Sequence, residues 1–121
     1  MSALRFAESH EWALVDDQGL VEVGISEFAQ QSLGDVVYIE LPKPGQSVTA
    51  GSACAVVESV KSASDIHAPL SGTVCEVNTA LIDSPEQVNE APYQSWLFKI
   101  QPSALSELDG LLSEADYLAR V

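Results

Sequence analysis

VVESVKSASDIHAPLSGTV, residues 56–74, decides how the rest of the chain is read. Lys61 stands within it, one of three lysines (with Lys43 and Lys99) in a chain holding 18 Asp and Glu residues. Ala53–Ser59 is apolar and β-branched enough for a strand, residues 64–68 supply a second, and Pro69 and Gly72 close the unit. Val60, Lys61, Ser62 and Ala63 lie between them without an Asn-Gly or Asp-Gly pair, so a type I turn is expected rather than a primed one. Such a turn mounts a primary amine on a short, rigid base with small neighbours. A lysine ammonium (ordinary pKa about 10.4) is a poor resting nucleophile, but an enzyme can deprotonate and acylate it. Taken alone, such a residue is read first as a solvated turn lysine, and only its surroundings change that reading.

The surrounding chain narrows the classes of function. Its 121 residues, 46% hydrophobic and 19% charged, suit one globular domain over residues 1–121 that needs neither metal nor disulfide. No apolar run approaches the ~20 residues of a membrane span. MSALRFAESHEW lacks the basic and apolar regions of a secretion signal, although an organellar presequence could already have been removed. The formal charge of −13 argues against nucleic acid and anionic membranes, because phosphate binding is driven by Lys and Arg. It suits basic docking faces on larger partners, and equally plain solubility. Cys54 and Cys75 lie in apolar runs and are expected as buried free thiols; with His10 and His67 isolated, no metal site is expected.

In chain order, residues 10–15 and 20–24 form a hairpin across Asp16-Asp17-Gln18-Gly19. Ser26 caps a helix Glu27–Leu33 stopped by Gly34, with Phe28, Ala29 and Leu33 expected on its buried side. Residues 35–41 read as a strand buried on much of both faces. A faint repeat relates Gly34-Asp35-Val36-Val37, leading to Val48, with Gly72-Thr73-Val74-Cys75, leading to Val88. Residues 73–78 are a strand, 79–87 a loop, and 96–100 a strand facing Trp96, Phe98 and Ile100 one way. Ser103 and Ser113 are expected to cap two short C-terminal helices within about 103–119. Leu105, Leu108 and Leu112, at helical spacing, serve packing or a partner surface.

Glu58-Ser59-Val60-Lys61, followed by Ile66-His67-Ala68-Pro69-Leu70-Ser71-Gly72, resembles the lipoyl-attachment hairpin, with Gly45 and Gly72 at that family's distances. Val60 and Ser62 occupy sites where biotin carriers usually place Met. Ser9-His10-Glu11-Trp12, Val23-Gly24-Ile25, Leu33-Gly34-Asp35, Val88-Asn89-Glu90 and Trp96-Leu97-Phe98-Lys99-Ile100 extend the likeness from Arg5 to about Leu118. Together they resemble the H proteins of the glycine cleavage system. Pro92-Tyr93-Gln94-Ser95-Trp96 departs from that family's Pro-Tyr-Gly-Glu-Gly-Trp, one residue shorter and without glycines, so a tighter loop is expected.

The resemblance implies a mainly β barrel-sandwich hybrid with a short internal helix and C-terminal helices, its core hairpins at about 10–100. It implies a carrier rather than an enzyme, bearing lipoate as an amide on Lys61. Glycine decarboxylase, with pyridoxal phosphate, would load an aminomethyl group; aminomethyltransferase would pass the carbon to tetrahydrofolate; dihydrolipoyl dehydrogenase would reoxidise the arm. A lipoate ligase or lipoyl transferase would attach it. The expected location is a bacterial cytoplasm, or a mitochondrial matrix for a processed organellar chain. A lipoyl or octanoyl donor to other proteins would need the same attachment residues. A hydrolase built on His10-Glu11 and a serine lacks a Gly-x-Ser-x-Gly elbow. Ser9, Glu11 and Asp65 match positions where such carriers dock the loaded arm, with Glu11 the main counter-charge; ordinary surface carboxylates are the alternative. Glu58 and Asp65 either help the ligase recognise the hairpin or are solvated strand acids.

Overall fold

The computed structural model describes residues 4–121. β1 (Arg5–Phe6), β2 (Glu11–Val15) and β3 (Val21–Ile25) lead into helix α1 (Glu27–Leu33). β4 (Val36–Glu40), β5 (Ser47–Val48), β6 (Ala53–Ser59), β7 (Ala63–His67) and β8 (Gly72–Val77) follow. Two short helices, α2 (Ala80–Asp83) and α3 (Gln87–Glu90), precede β9 (Phe98–Pro102). A 3₁₀ turn (Leu105–Gly110), β10 (Leu112–Ser113) and α4 (Glu114–Leu118) complete the described chain. Antiparallel pairing arranges the strands in two sheets, β10-β1-β2-β3-β9-β8-β5 and β4-β6-β7.

Local chemistry explains the first hairpin and the helix. Asp16 Oδ1 accepts the N–H groups of Gln18 and Leu20, and Gly19 takes φ +82°, a conformation that favours glycine. Ser26 Oγ accepts the Ala29 N–H, the expected N-cap, and such a cap stabilises a helix by about 1 kcal/mol. Val57, Val23, Val74, Leu97, Phe98 and Ile100 have no exposed surface and join the two sheets in one core, with Leu33, Leu81 and Val88 from the helices. Phe6, Trp12 and Tyr117 form a second cluster.

Several expectations change. Among the described residues β4 pairs with β6 alone and carries a register shift between Val36 and Tyr38, so Val37 and Tyr38 are exposed rather than buried. Phe28 is exposed and Gln30 is buried in α1, because the Gln30 amide finds polar partners in Glu27 and Asn89. Val88 sits on α3 rather than on a strand, so the repeat ends before it. Residues 79–87 contain α2, and β9 begins at Phe98. Ser103 caps no helix; its N–H and hydroxyl both donate to the Ser71 carbonyl, and a 3₁₀ turn follows. Leu112 lies in β10, pairing with Phe6, while Ser113 does cap α4 through Asp116 N–H. Cys75 is exposed, since the bulge beside Glu76 turns it out, whereas burial pushes the half-buried Cys54 thiol up to about 12.

Candidate functional site

The β6–β7 register, ending on Glu58 opposite Ala63, leaves residues 59–62 as the turn. Ser59 organises it. Its N–H donates to Ser62 O at 2.7 Å, and its Oγ accepts the N–H groups of Lys61 and Ser62 at 3.2 and 3.1 Å. Among the described non-glycine residues only His10 has a positive φ, which excludes a primed turn here. Val60 N–H donates to Asp35 O at 3.0 Å, tying the turn to the start of β4.

Lys61 is exposed and takes part in no ion pair among the described residues. Its stem lies over Gly34: a Cβ built there would stand 3.1 Å from Lys61 Cε and 3.6 Å from Nζ. Gly34 at φ +80° and ψ −158° is in a region open in practice only to glycine. Asn89, unassigned from the sequence, clamps this mount. Its Nδ2 donates to Gly34 O and Gln30 Oε1, and its Oδ1 accepts the Val36 N–H. Glu58 and Asp65 are exposed on the flanking strands, opposite Ala63 and Val56 respectively, and neither pairs with Lys61.

A cleft of about 230 Å³ runs between the hairpin, α1 and the N-terminal segment. Ser62, Ser64 and Asp65 line it from the hairpin, and Ser9 and His10 from the N-terminal side. Ile25, Phe28, Leu33 and Ile66 supply apolar wall. Two roomier grooves, about 500 Å³ each, reach none of residues 60–62. The exposed Phe28 thus has a place: its ring packs on His10 with centroids 4.8 Å apart, at the side of the cleft.

Glu11 lies behind this wall, 1% exposed and not itself a lining residue. Both carboxylate oxygens are engaged. Oε1 accepts the Ser9 hydroxyl, and Oε2 accepts the His67 backbone N–H at 2.8 Å with the His67 ring Nδ1 at 3.3 Å. The structure therefore brings Ser9 and Glu11 to the base of the lysine hairpin, at the end away from Lys61, while Asp65 and Ser9 line the cleft from opposite sides. The link to His67 had no local signal, because 56 residues separate the partners.

Tyr117 is the second group that spacing did not reveal. Its hydroxyl is 2.7 Å from His10 Nδ1 and 2.6 Å from Ser26 Oγ. The loop at residues 92–96 is held down at several points: Trp12 Nε1–H donates to Pro92 O, Tyr93 Oη accepts the Glu27 N–H, and Ser95 Oγ donates to Gln87 O. Among the described residues no group of three or more His, Cys, Asp or Glu could hold a metal ion, and no helix is long and apolar enough to cross a membrane.

Comparison with known proteins agrees with this geometry. The family model described as glycine cleavage H-protein matches residues 4–121. Glycine cleavage system H protein 2 of Pseudomonas putida is 58% identical over 118 residues, covering 98% of this chain and 93% of that one. The glycine cleavage system H protein of Methylococcus capsulatus is 52% identical over 116 residues, covering 96% and 91%. The crystal structure of a glycine cleavage system H protein from Mycobacterium marinum superposes with a TM-score of 0.87 at 40% identity, over 97% of this chain and 94% of that one. The two-sheet architecture is accordingly the barrel-sandwich hybrid expected. With the lysine turn, the cleft beside it and the whole described length accounted for, the chain belongs to the glycine cleavage H-protein family.

Proposed function

We propose that this chain is the lipoyl carrier of a glycine cleavage system, with lipoate joined to Lys61 through an amide. The observation that carries the reading is the pairing of an exposed lysine, in no ion pair among the described residues, on a rigid turn with an adjacent cleft that has apolar walls and polar groups at both sides. Such a lining suits an aliphatic chain with a polar tip. When attached, lipoate supplies the disulfide that takes up and hands on an aminomethyl group. The protein does the rest: Ser59 and Gly34 mount the lysine, and the apolar wall shelters the arm from water. Ser9 would bond the docked tip and Asp65 would offer it an acid. Glu11, buried and hydrogen-bonded to Ser9, would place negative charge behind that wall, where low polarity strengthens it.

The partners follow from the same reading: glycine decarboxylase, aminomethyltransferase and dihydrolipoyl dehydrogenase, with a lipoate ligase or lipoyl transferase for attachment. Glu58 and Asp65, exposed on the two strands of the hairpin, are proposed as ligase contacts. The test is intact mass followed by peptide mapping of protein made alongside a lipoylation pathway. A single lipoyl addition on the Lys61 peptide is expected; the group on Lys43 or Lys99 instead would overturn the assignment. Lipoylation of Glu58→Ala and Asp65→Ala at the wild-type rate would remove those two residues from recognition.

A further inference from the structure

The C-terminal helix reaches the cleft through one hydroxyl. Tyr117 is 2% exposed and stacks on Phe6, the ring centroids 4.2 Å apart and the planes 4° from parallel. Its Oη lies between Ser26 Oγ and His10 Nδ1, at 2.6 and 2.7 Å. Hydrogens follow from satisfying every buried group. Ser26 has no exposed surface, and its Oγ already accepts the Ala29 N–H, so its own hydrogen must go to Tyr117 Oη. Tyr117 then donates to His10 Nδ1. The reverse chain, from His10 to Tyr117 to Ser26, would leave the Ser26 hydrogen buried without an acceptor, which is costly. Burial also pushes the Tyr117 hydroxyl above its ordinary value, against the opposing hydrogen bond from Ser26, which keeps it a neutral donor.

His10 is itself unusual in its backbone. It holds φ +81° without being glycine, and its carbonyl accepts the Ser26 N–H at 2.9 Å. Its ring lies against Phe28, and both residues line the cleft. Among the described residues nothing hydrogen-bonds its Nε2. We propose that Tyr117 is a positioning residue for the cleft: it locks His10 in the Nε2–H tautomer and so sets the wall, and the N–H donor, that a docked arm meets. Its assignment of the tautomer stands on the hydrogen-bond chain alone; its consequence for the arm rests on the carrier reading above.

The test separates the two. Long-range proton–nitrogen correlation of the His10 ring is recorded on unmodified, isotope-labelled protein, with His10→Gln to assign the signals. Wild type should show a protonated Nε2 and a bare Nδ1. Tyr117→Phe keeps the ring stack and should show both tautomers in exchange. A protonated Nδ1 in wild type, or an unchanged His10 pattern in Tyr117→Phe, overturns the proposal. Lipoylated proteins are then loaded with methylamine, and loss of the group is followed without the transferase. Several-fold faster decay in Tyr117→Phe than in wild type supports the positioning role. Wild-type decay in Tyr117→Phe, with fast decay in Asp65→Ala, reduces Tyr117 to a tether for the helix and sinks the role. Equal decay in every variant, including Asp65→Ala and Glu11→Ala, fails the cleft reading instead and takes the arm-facing half of the proposal with it.

Discussion

Lys99 in β9 has its ammonium 3.0 Å from Asp16, 3.6 Å from Glu22 and 3.9 Å from Glu76, over the Trp96 ring at 5.0 Å. Lys61, on the turn between β6 and β7, stands over a glycine and pairs with no carboxylate. The two carry the same amine in opposite circumstances. The Asp16 hydrogen bond, partly opposed by burial and helped by the charges of Asp16, Glu22 and Glu76, raises the pKa of Lys99. Acylation needs a neutral, reachable amine, so the surroundings of Lys99 oppose modification twice, by charge and by access. Lys61 is exposed, and among the described residues no carboxylate lies within ion-pair distance of it. Between these two lysines the difference is which has acids close enough to bond; Lys43, exposed and in no ion pair among the described residues, differs from Lys61 in lying off the hairpin turn.

The strongest way to break this contrast is Lys61→Arg. The charge and the exposed turn are kept, so thermal unfolding should be unchanged. A guanidinium with pKa above about 12 is not acylated, so intact mass should show no lipoyl group and a reconstituted glycine cleavage assay no turnover. Residual turnover would mean that Lys99 or Lys43 can substitute, and the contrast would collapse.

Next in size are the acids around the cleft. Glu11→Ala removes a buried carboxylate that Ser9 and His67 both engage, and Asp65→Ala removes an exposed one beside the hairpin. An exposed charge pair contributes only ~0–1 kcal/mol, and a desolvated one more. The loaded group should therefore be lost several-fold faster from Glu11→Ala than from Asp65→Ala, and slowest from wild type. The reverse order would place the protecting charge on the surface.

Gly34→Ala probes the mount itself. Its φ of +80°, and the 3.1 Å approach of Lys61 Cε to a Cβ there, predict a loss of about 1–3 kcal/mol in denaturant unfolding. Lipoylation should slow as the stem is displaced. Full stability in this variant would show that the lysine mount is not strained.

The smallest effect belongs to Lys99→Met. Burial alone would raise the pKa of Asp16, but hydrogen bonds from Lys99, Gln18 and Leu20 outweigh it, so the net value falls below 3.8. A depressed acid stabilises the fold above its ordinary value and loses that contribution as pH falls through the native one. A raised lysine stabilises below 10.5 and loses that contribution as pH rises through its native value. Lys99→Met should cost about 1 kcal/mol in the neutral range, with the difference from wild type closing towards both extremes of pH. A pH-independent difference would assign the loss to packing on Trp96 rather than to charge.

The short-range features were legible in the residues themselves. Apolar runs ending at Gly or Pro located the lysine hairpin. Asp16-Asp17-Gln18-Gly19 and Ser26 with Gly34 specified a turn and a capped helix, because each needs partners no more than four residues away. The motifs around Lys61 pointed to the carrier family. Only the tertiary structure decided which acid is buried. Glu11 and Asp65 look alike as letters; one lies 1% exposed between Ser9 and His67, the other on an exposed strand position. Phe28, expected on the buried side of its helix, is exposed while Gln30 is buried, because Asn89, 59 residues from Gln30, offers the amide a partner that no helical period encodes. Tyr117 joins His10 across 107 residues. Periodicity reports the face a residue presents to its own element; which distant polar group waits on that face is fixed when the sheets close around the core.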